Sequence, residues 1–160
     1  MFVLGIDPGL SAMGYGLVES GHPPVAHRAG VIRTDKDAAM SERLGELFVG
    51  LNQLFSEINP DAVAIETVFT NRNLQTAMSV GRASGVALLA AANHGLPVFE
   101  YVPTAIKAAV TGDGSADKAQ VQTMVARLLH LEQVPRPPDA ADALAIAMCH
   151  LRAAPLQVQL

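Results

Sequence analysis

The sequence predicts an α/β protein built on a five-stranded mixed sheet, three strands antiparallel and then two parallel, flanked by helices. Three observations carry that prediction. The opening 33 residues hold three β-rich runs joined by turn residues. The stretch 40–58 shows the stripe of an amphipathic helix. Two short apolar runs, 61–66 and 97–102, bracket one long helical stretch, the pattern of a strand–helix–strand unit.

Taken in order, FVLGID (2–7) and MGYGLVES (13–20) read as the first two strands and VAHRAGVIR (25–33) as the third, with SGHPP (20–24) supplying turn chemistry. In 40–58, Leu44, Leu47, Leu51, Leu54, Phe55 and Ile58 recur at helical spacing, and Asn59-Pro60 ends the helix. DAVAIE (61–66) is a strand closed by an acid, TVFTN (67–71) a loop, and a helix from about Arg72 to His94 is stopped by Gly95. PVFEYV (97–102) is a second strand parallel to it. The remainder reads as helices: TAIKAAVTG (104–112), KAQVQTMVARLLHL (118–131) after the loop DGSAD, and a last one from Asp139 to about Arg152 after RPP. With no repeat, linker or low-complexity segment, residues 1–152 are expected to form one domain, and 153–160 a frayed tail.

Composition narrows the class of function. Half of the 160 residues are hydrophobic, enough for one sizeable core. The longest nearly uninterrupted apolar run, GVALLAAAN (85–93), falls well short of the roughly 18 residues a membrane span needs, so no membrane partner is expected. The start MFVLGID lacks a basic region and a cleavage site, which predicts a cytoplasmic chain. The single cysteine, Cys149, sits in an apolar run and reads as a small buried hydrophobe. A net charge of −4 argues against coating nucleic acid by bulk positive charge, yet permits a local site whose acids are neutralised by cations.

Four acids form a pattern that none of them forms alone. Asp7 could simply start a turn, Glu66 could be a solvated strand end, and Asp139 could cap the last helix with Asp142 three residues on. Yet Asp7 and Glu66 each end an apolar strand, and parallel neighbours bring such ends to one sheet edge. Asp139 and Asp142, three apart, share one helical face. If that face packs on the strand ends, four carboxylates meet, and they would repel one another unless cations lie between them. Oxygen ligands with no Cys or His spacing point to Mg²⁺ or Mn²⁺. Two such ions about 4 Å apart clamp the attacking and leaving oxygens of a phosphodiester displacement. Gly9, Gly14 and Gly16 are expected to let the following hairpin turn tightly and to keep a phosphate's approach clear; ordinary turn and strand-bend glycine is the alternative. The helix 72–94 is small or apolar nearly all round and needs burial on more than one side, from core packing or from a twofold dimer contact.

LGIDPGLSAMGYG (4–16), AIETVF (64–69), AAVTGDGSADKAQVQTMV (108–125) and PPDAADALAIAMCH (137–150) together resemble the RuvC family of bacterial Holliday junction resolvases, from about residue 2 to 151. The resemblance implies a ribonuclease H-like fold, a homodimer and catalysis by Mg²⁺ or Mn²⁺, two ions per site. It implies paired, symmetric nicks in a four-way DNA junction during recombination and repair, leaving 5′-phosphate and 3′-hydroxyl ends, alongside a RuvA–RuvB branch-migration complex. The family's catalytic, metal-binding acids fall on Asp7, Glu66, Asp139 and Asp142, its aromatic junction contact on Phe69, and its DNA-contacting lysines on Lys107 and Lys118. From the residues alone, Phe69 could equally staple the next helix, and the lysines could be solvated surface. Arg72 could track the DNA backbone or merely solubilise its helix. The wording ETVFTNRNLQTAM departs from the family's usual form after the glutamate. An actin-like sugar kinase has a similar glycine-rich opening but needs two lobes and a longer chain. A non-catalytic junction-binding module would not need all four acids, and a ribosomal-RNA-processing relative fits the DAADALAIAMCH stretch less fully.

Overall fold

The first strand, β1 (Phe2–Asp7), lies at the centre of the sheet because its apolar side chains have two faces to fill: Val3, Leu4 and Ile6 are fully buried. In the computed structural model, which describes residues 1–67 and 73–157, β2 (Ala12–Glu19) and β3 (Val25–Arg33) add antiparallel on one flank. On the other flank β4 (Ala62–Glu66) and β5 (Val98–Tyr101) add parallel. The order is β3-β2-β1-β4-β5, the three-plus-two arrangement expected from the sequence. β3 is the outer strand and accordingly largely exposed, with His27 and Arg28 paired to Glu19 and Glu57.

Alternation along the strands divides the core in two. Leu4, Ile6, Val63 and Ile65 point to a layer made by α1 (Met40–Ile58) and α2 (Leu74–Asn93), where Leu47, Leu51, Phe55, Ala83 and Ala87 are buried. Val3 and Ala64 point to the opposite layer of α3 (Pro103–Thr111), α4 (Lys118–Leu128) and α5 (Pro138–Gln157), against Ile106, Val110, Val125 and Leu144. Among the described residues no helix is long and apolar enough to cross a membrane. Cys149 is buried, and burial pushes its thiol up to about 11.

Several boundaries move from where the sequence placed them. α2 starts at Leu74 because the Asn73 side chain caps it, accepting the Thr76 N–H at 3.1 Å. Arg72 and Phe69 lie outside the described residues. α5 starts at Pro138, so Asp139 stands inside the first turn rather than at the cap. It also runs to Gln157, past the expected helix end near Arg152, and residues 158–160 lie outside the described residues.

The glycines do something other than what the sequence suggested. α5 lies flat on β1 and β2, and its backbone occupies the space where their side chains would stand. A Cβ at Gly5 would fall 1.9 Å from the Ala143 carbonyl oxygen, one at Gly14 2.1 Å from that of Asp139, and one at Gly16 2.8 Å from Leu144. Gly14 and Gly16 therefore clear the way for a helix, not for a phosphate or a bend. Gly9 alone keeps the turn role, its Cβ position lying 2.2 Å from the Ala12 carbonyl oxygen.

Gly5→Ala should accordingly cost at least about 3 kcal/mol, since backbone rather than a flexible side chain must give way. Gly45→Ala, on the open surface of α1 with nothing within 4 Å, should instead stabilise by about 0.8 kcal/mol. Urea denaturation of the two variants checks both signs.

Candidate active site

The ends of β1 and β4 set the site. Their parallel register runs Val3↔Ala62 to Ile6↔Ile65, so the next residues, Asp7 and Glu66, leave the sheet side by side on the α5 face. On the other side of Asp7 the antiparallel partner is Gly14. The room left by its missing side chain is taken by the backbone of Asp139. The first turns of α5 are thereby laid against the tip of β1, and one ligand oxygen from each of Asp7, Asp139 and Asp142 falls within 4.8 Å of the others. Glu66 is not in that trio, but it lines the same cleft of about 310 Å³, with Asp7, Asp142, Lys107 and Lys118.

Charge repulsion is visible at both strand ends. Burial first, and then the carboxylates of Glu66, Asp142 and Asp139, push Asp7 from 3.8 up to about 8, against the pull of Lys118. Burial and Asp142 likewise raise Glu66, opposed by Lys118 and Lys107. Burial alone would lower Lys118, yet its hydrogen bond to Asp142 and the nearby acids outweigh it and hold the ammonium more firmly charged. Its Nζ lies 2.6 Å from Asp142 Oδ2.

The donor set fits a hard divalent cation. All three clustered ligands are carboxylates, no thiol or imidazole lines the cleft, and the group is the one such cluster among the described residues. A half-buried Asp among other acids is favoured in its charged form when a cation joins it.

Of the residues singled out from the sequence, the structure brings Asp7, Asp139 and Asp142 into one cluster and sets Glu66, Lys107 and Lys118 around the same cleft. Phe69 and Arg72 fall outside the described residues. Three features escaped sequence reasoning. Gln122 donates from Nε2 to Asp142 Oδ1 at 3.1 Å; its place four residues after Lys118, on the same helical face, was the available signal. Arg43 donates to Ser11 Oγ at 2.8 Å and to Thr34 Oγ1 at 3.0 Å, while Thr34 Oγ1 donates to the Leu10 carbonyl at 2.7 Å. These bonds brace the turn that follows Asp7, and nothing in the local sequence announces them. The Tyr101 hydroxyl and His150 Nδ1, 2.7 Å apart, tie the end of β5 to α5.

Comparison with known proteins points one way. The family model described as crossover junction endodeoxyribonuclease RuvC matches residues 3–150. A protein of that name from Streptomyces avermitilis is 49% identical over 162 residues, covering 100% of this chain and 92% of its own. Another, from Natranaerobius thermophilus, is 45% identical over 161 residues, covering 100% of both chains. The structure titled T. thermophilus RuvC in complex with Holliday junction substrate superposes with a TM-score of 0.92 at 37% identity, covering 98% of this chain and 96% of that one.

The acid cluster makes stability depend on pH in a definite direction. In the metal-free protein Asp7 keeps its proton up to about pH 8, whereas in the unfolded chain it loses it near 3.8. Between those values the folded state holds the extra proton, so Asp7's contribution to stability falls as pH rises. In EDTA, Asp7→Asn should therefore gain on the wild type by ~3 kcal/mol between pH 5 and pH 8. Mg²⁺ should restore the wild type and not the variant. Thermal melts across that pH range read both effects.

Proposed function

This chain belongs to the RuvC family of crossover junction endodeoxyribonucleases, and from that premise we propose how its own residues do the family's work. It is a nuclease that resolves Holliday junctions. We read residues 1–152 as one nuclease domain whose catalytic residues are Asp7, Glu66, Asp139 and Asp142. The single observation that carries this reading is the convergence of Asp7, Asp139 and Asp142 oxygens within 4.8 Å, beside two lysines in one cleft.

In this reading the four acids hold Mg²⁺ or Mn²⁺, two ions per site. When bound, the ions supply Lewis acidity and charge neutralisation at the scissile phosphate. The protein's own contribution is placement. Asp7 and Glu66 stand on a rigid sheet edge, Asp139 and Asp142 on a helix locked onto that sheet, and such support holds ligands to within about half an ångström. Lys107 and Lys118, on α3 and α4, line the same cleft and offset the charge that builds on phosphate oxygens as the bond breaks. Hydrolysis leaves a 5′-phosphate and a 3′-hydroxyl, ends that can be rejoined directly.

A four-way junction has two symmetric strands to cut, which a twofold dimer matches. α2 supports such a contact: Leu74, Met78 and Leu89 are exposed at 77%, 48% and 55%, and Gly81 and Gly85 on the same helix have open space where a side chain would be. We assign Phe69 and Arg72 to contacts with the junction's bases and backbone. We further read the protein as cytoplasmic and as working with a RuvA–RuvB branch-migration complex.

With a synthetic four-way junction and Mg²⁺ or Mn²⁺, the purified protein should make paired, symmetric nicks and leave linear duplex uncut. Asp7→Asn should bind the junction as tightly as the wild type while cleaving at least about 100-fold more slowly, a loss of ~3 kcal/mol of transition-state stabilisation. Normal cutting by that variant would overturn the assignment of Asp7.

A further inference from the structure

Asp142 is held from α4 by two side chains that behave differently toward a cation. Lys118 Nζ sits 2.6 Å from Oδ2, and Gln122 Nε2 sits 3.1 Å from Oδ1. Both project from the same face of α4, whose start is fixed by a reciprocal cap: Asp117 Oδ1 accepts the Gln120 N–H at 2.8 Å, and Gln120 Oε1 accepts the Asp117 N–H at 2.8 Å. The ammonium is positive, as a metal ion would be, and it competes with a metal for the same oxygen. The amide is neutral, is not repelled by a cation, and engages the other oxygen.

We propose that Gln122 is a positioning residue for the reaction: it anchors one oxygen of Asp142 to α4 so that the other is presented to a divalent cation, and Lys118 occupies that second oxygen until the cation takes it. The inference rests on the reading of Asp142 as a metal ligand. A carboxylate with both torsions free loses rotamer freedom on coordinating a metal, and an existing hydrogen bond removes part of that cost in advance. Displacement of Lys118 has a second consequence, because the freed ammonium stands in the cleft beside Lys107, where a phosphate would need it. Cation entry and phosphate neutralisation are thereby coupled through one carboxylate.

The test is Mn²⁺ affinity of the full chain without DNA, followed by the electron paramagnetic resonance signal of free Mn²⁺. Gln122→Met, which keeps side-chain length but cannot donate, should raise the Mn²⁺ Kd by about 10-fold or more. Gln122→Asn, one methylene too short to reach, should do the same, so the test survives if either variant folds poorly. Lys118→Met should lower the Kd, since it removes the competing charge. Unchanged Kd in both Gln122 variants overturns the positioning role, and a raised Kd in Lys118→Met overturns the competition. Failure of the wild type itself to bind Mn²⁺ would overturn the metal reading beneath both, and so is distinguishable from either.

Discussion

The contact on which the remaining structure depends is the one between the α5 backbone and the glycine floor of β1 and β2. Helices usually ride on a sheet with side chains between them. Here the Ala143 carbonyl stands where a Gly5 side chain would be, and the Asp139 carbonyl where a Gly14 side chain would be. Register then does the rest: Gly14 is the cross-strand partner of Asp7. An ordinary helix-to-sheet separation would lift Asp139 and Asp142 away from the strand tip. The small residues of α5 answer the glycines from the other side, since Ala140, Ala141, Ala143 and Ala147 are all buried.

The same closeness creates the site's electrostatic tension. Asp7 is half-buried among three other acids, and its carboxyl resists ionisation as a result. Lys118 offsets part of that charge through Asp142, which leaves a cluster that is short of positive charge and built from hard oxygen donors. Such a cluster favours divalent cations by charge and by ligand type at once. The arrangement places its cost in the folding of the metal-free chain and its benefit in the loaded one. α4 connects the two regimes, because Lys118 and Gln122 both reach Asp142 from it.

How much of this could be read from the residues follows from where each signal resides. The sheet class was legible because strands that end in acids and helices with regular apolar spacing are local patterns, and β3 and α1 fall where the sequence put them. The candidate acids were legible through conjunction, two on strand ends and two three apart on a helix. The function of Gly14 and Gly16 was not, since a glycine that receives a helix looks the same in sequence as one that makes a turn. Gly5 gave no cue for the same reason. Arg43 acts across 32 residues on Ser11, and long-range hydrogen bonds leave no periodicity to detect. Gln122 lay closer to reach, one helical turn from a lysine already under suspicion. The separation of Glu66 from the tighter trio depended on side-chain geometry that strand register alone does not determine.

Carboxylates from β1 and the start of α5 converge on one spot, and the proposed function requires them to hold hard cations there. A crystal structure of the full chain soaked in Mn²⁺, with anomalous scattering collected at the manganese edge, tests it most directly. Anomalous peaks are expected among the oxygens of Asp7, Asp139 and Asp142, with Glu66 reaching the same ions and Lys118 withdrawn from Asp142. Ordered manganese elsewhere on the chain and none among these carboxylates would contradict it.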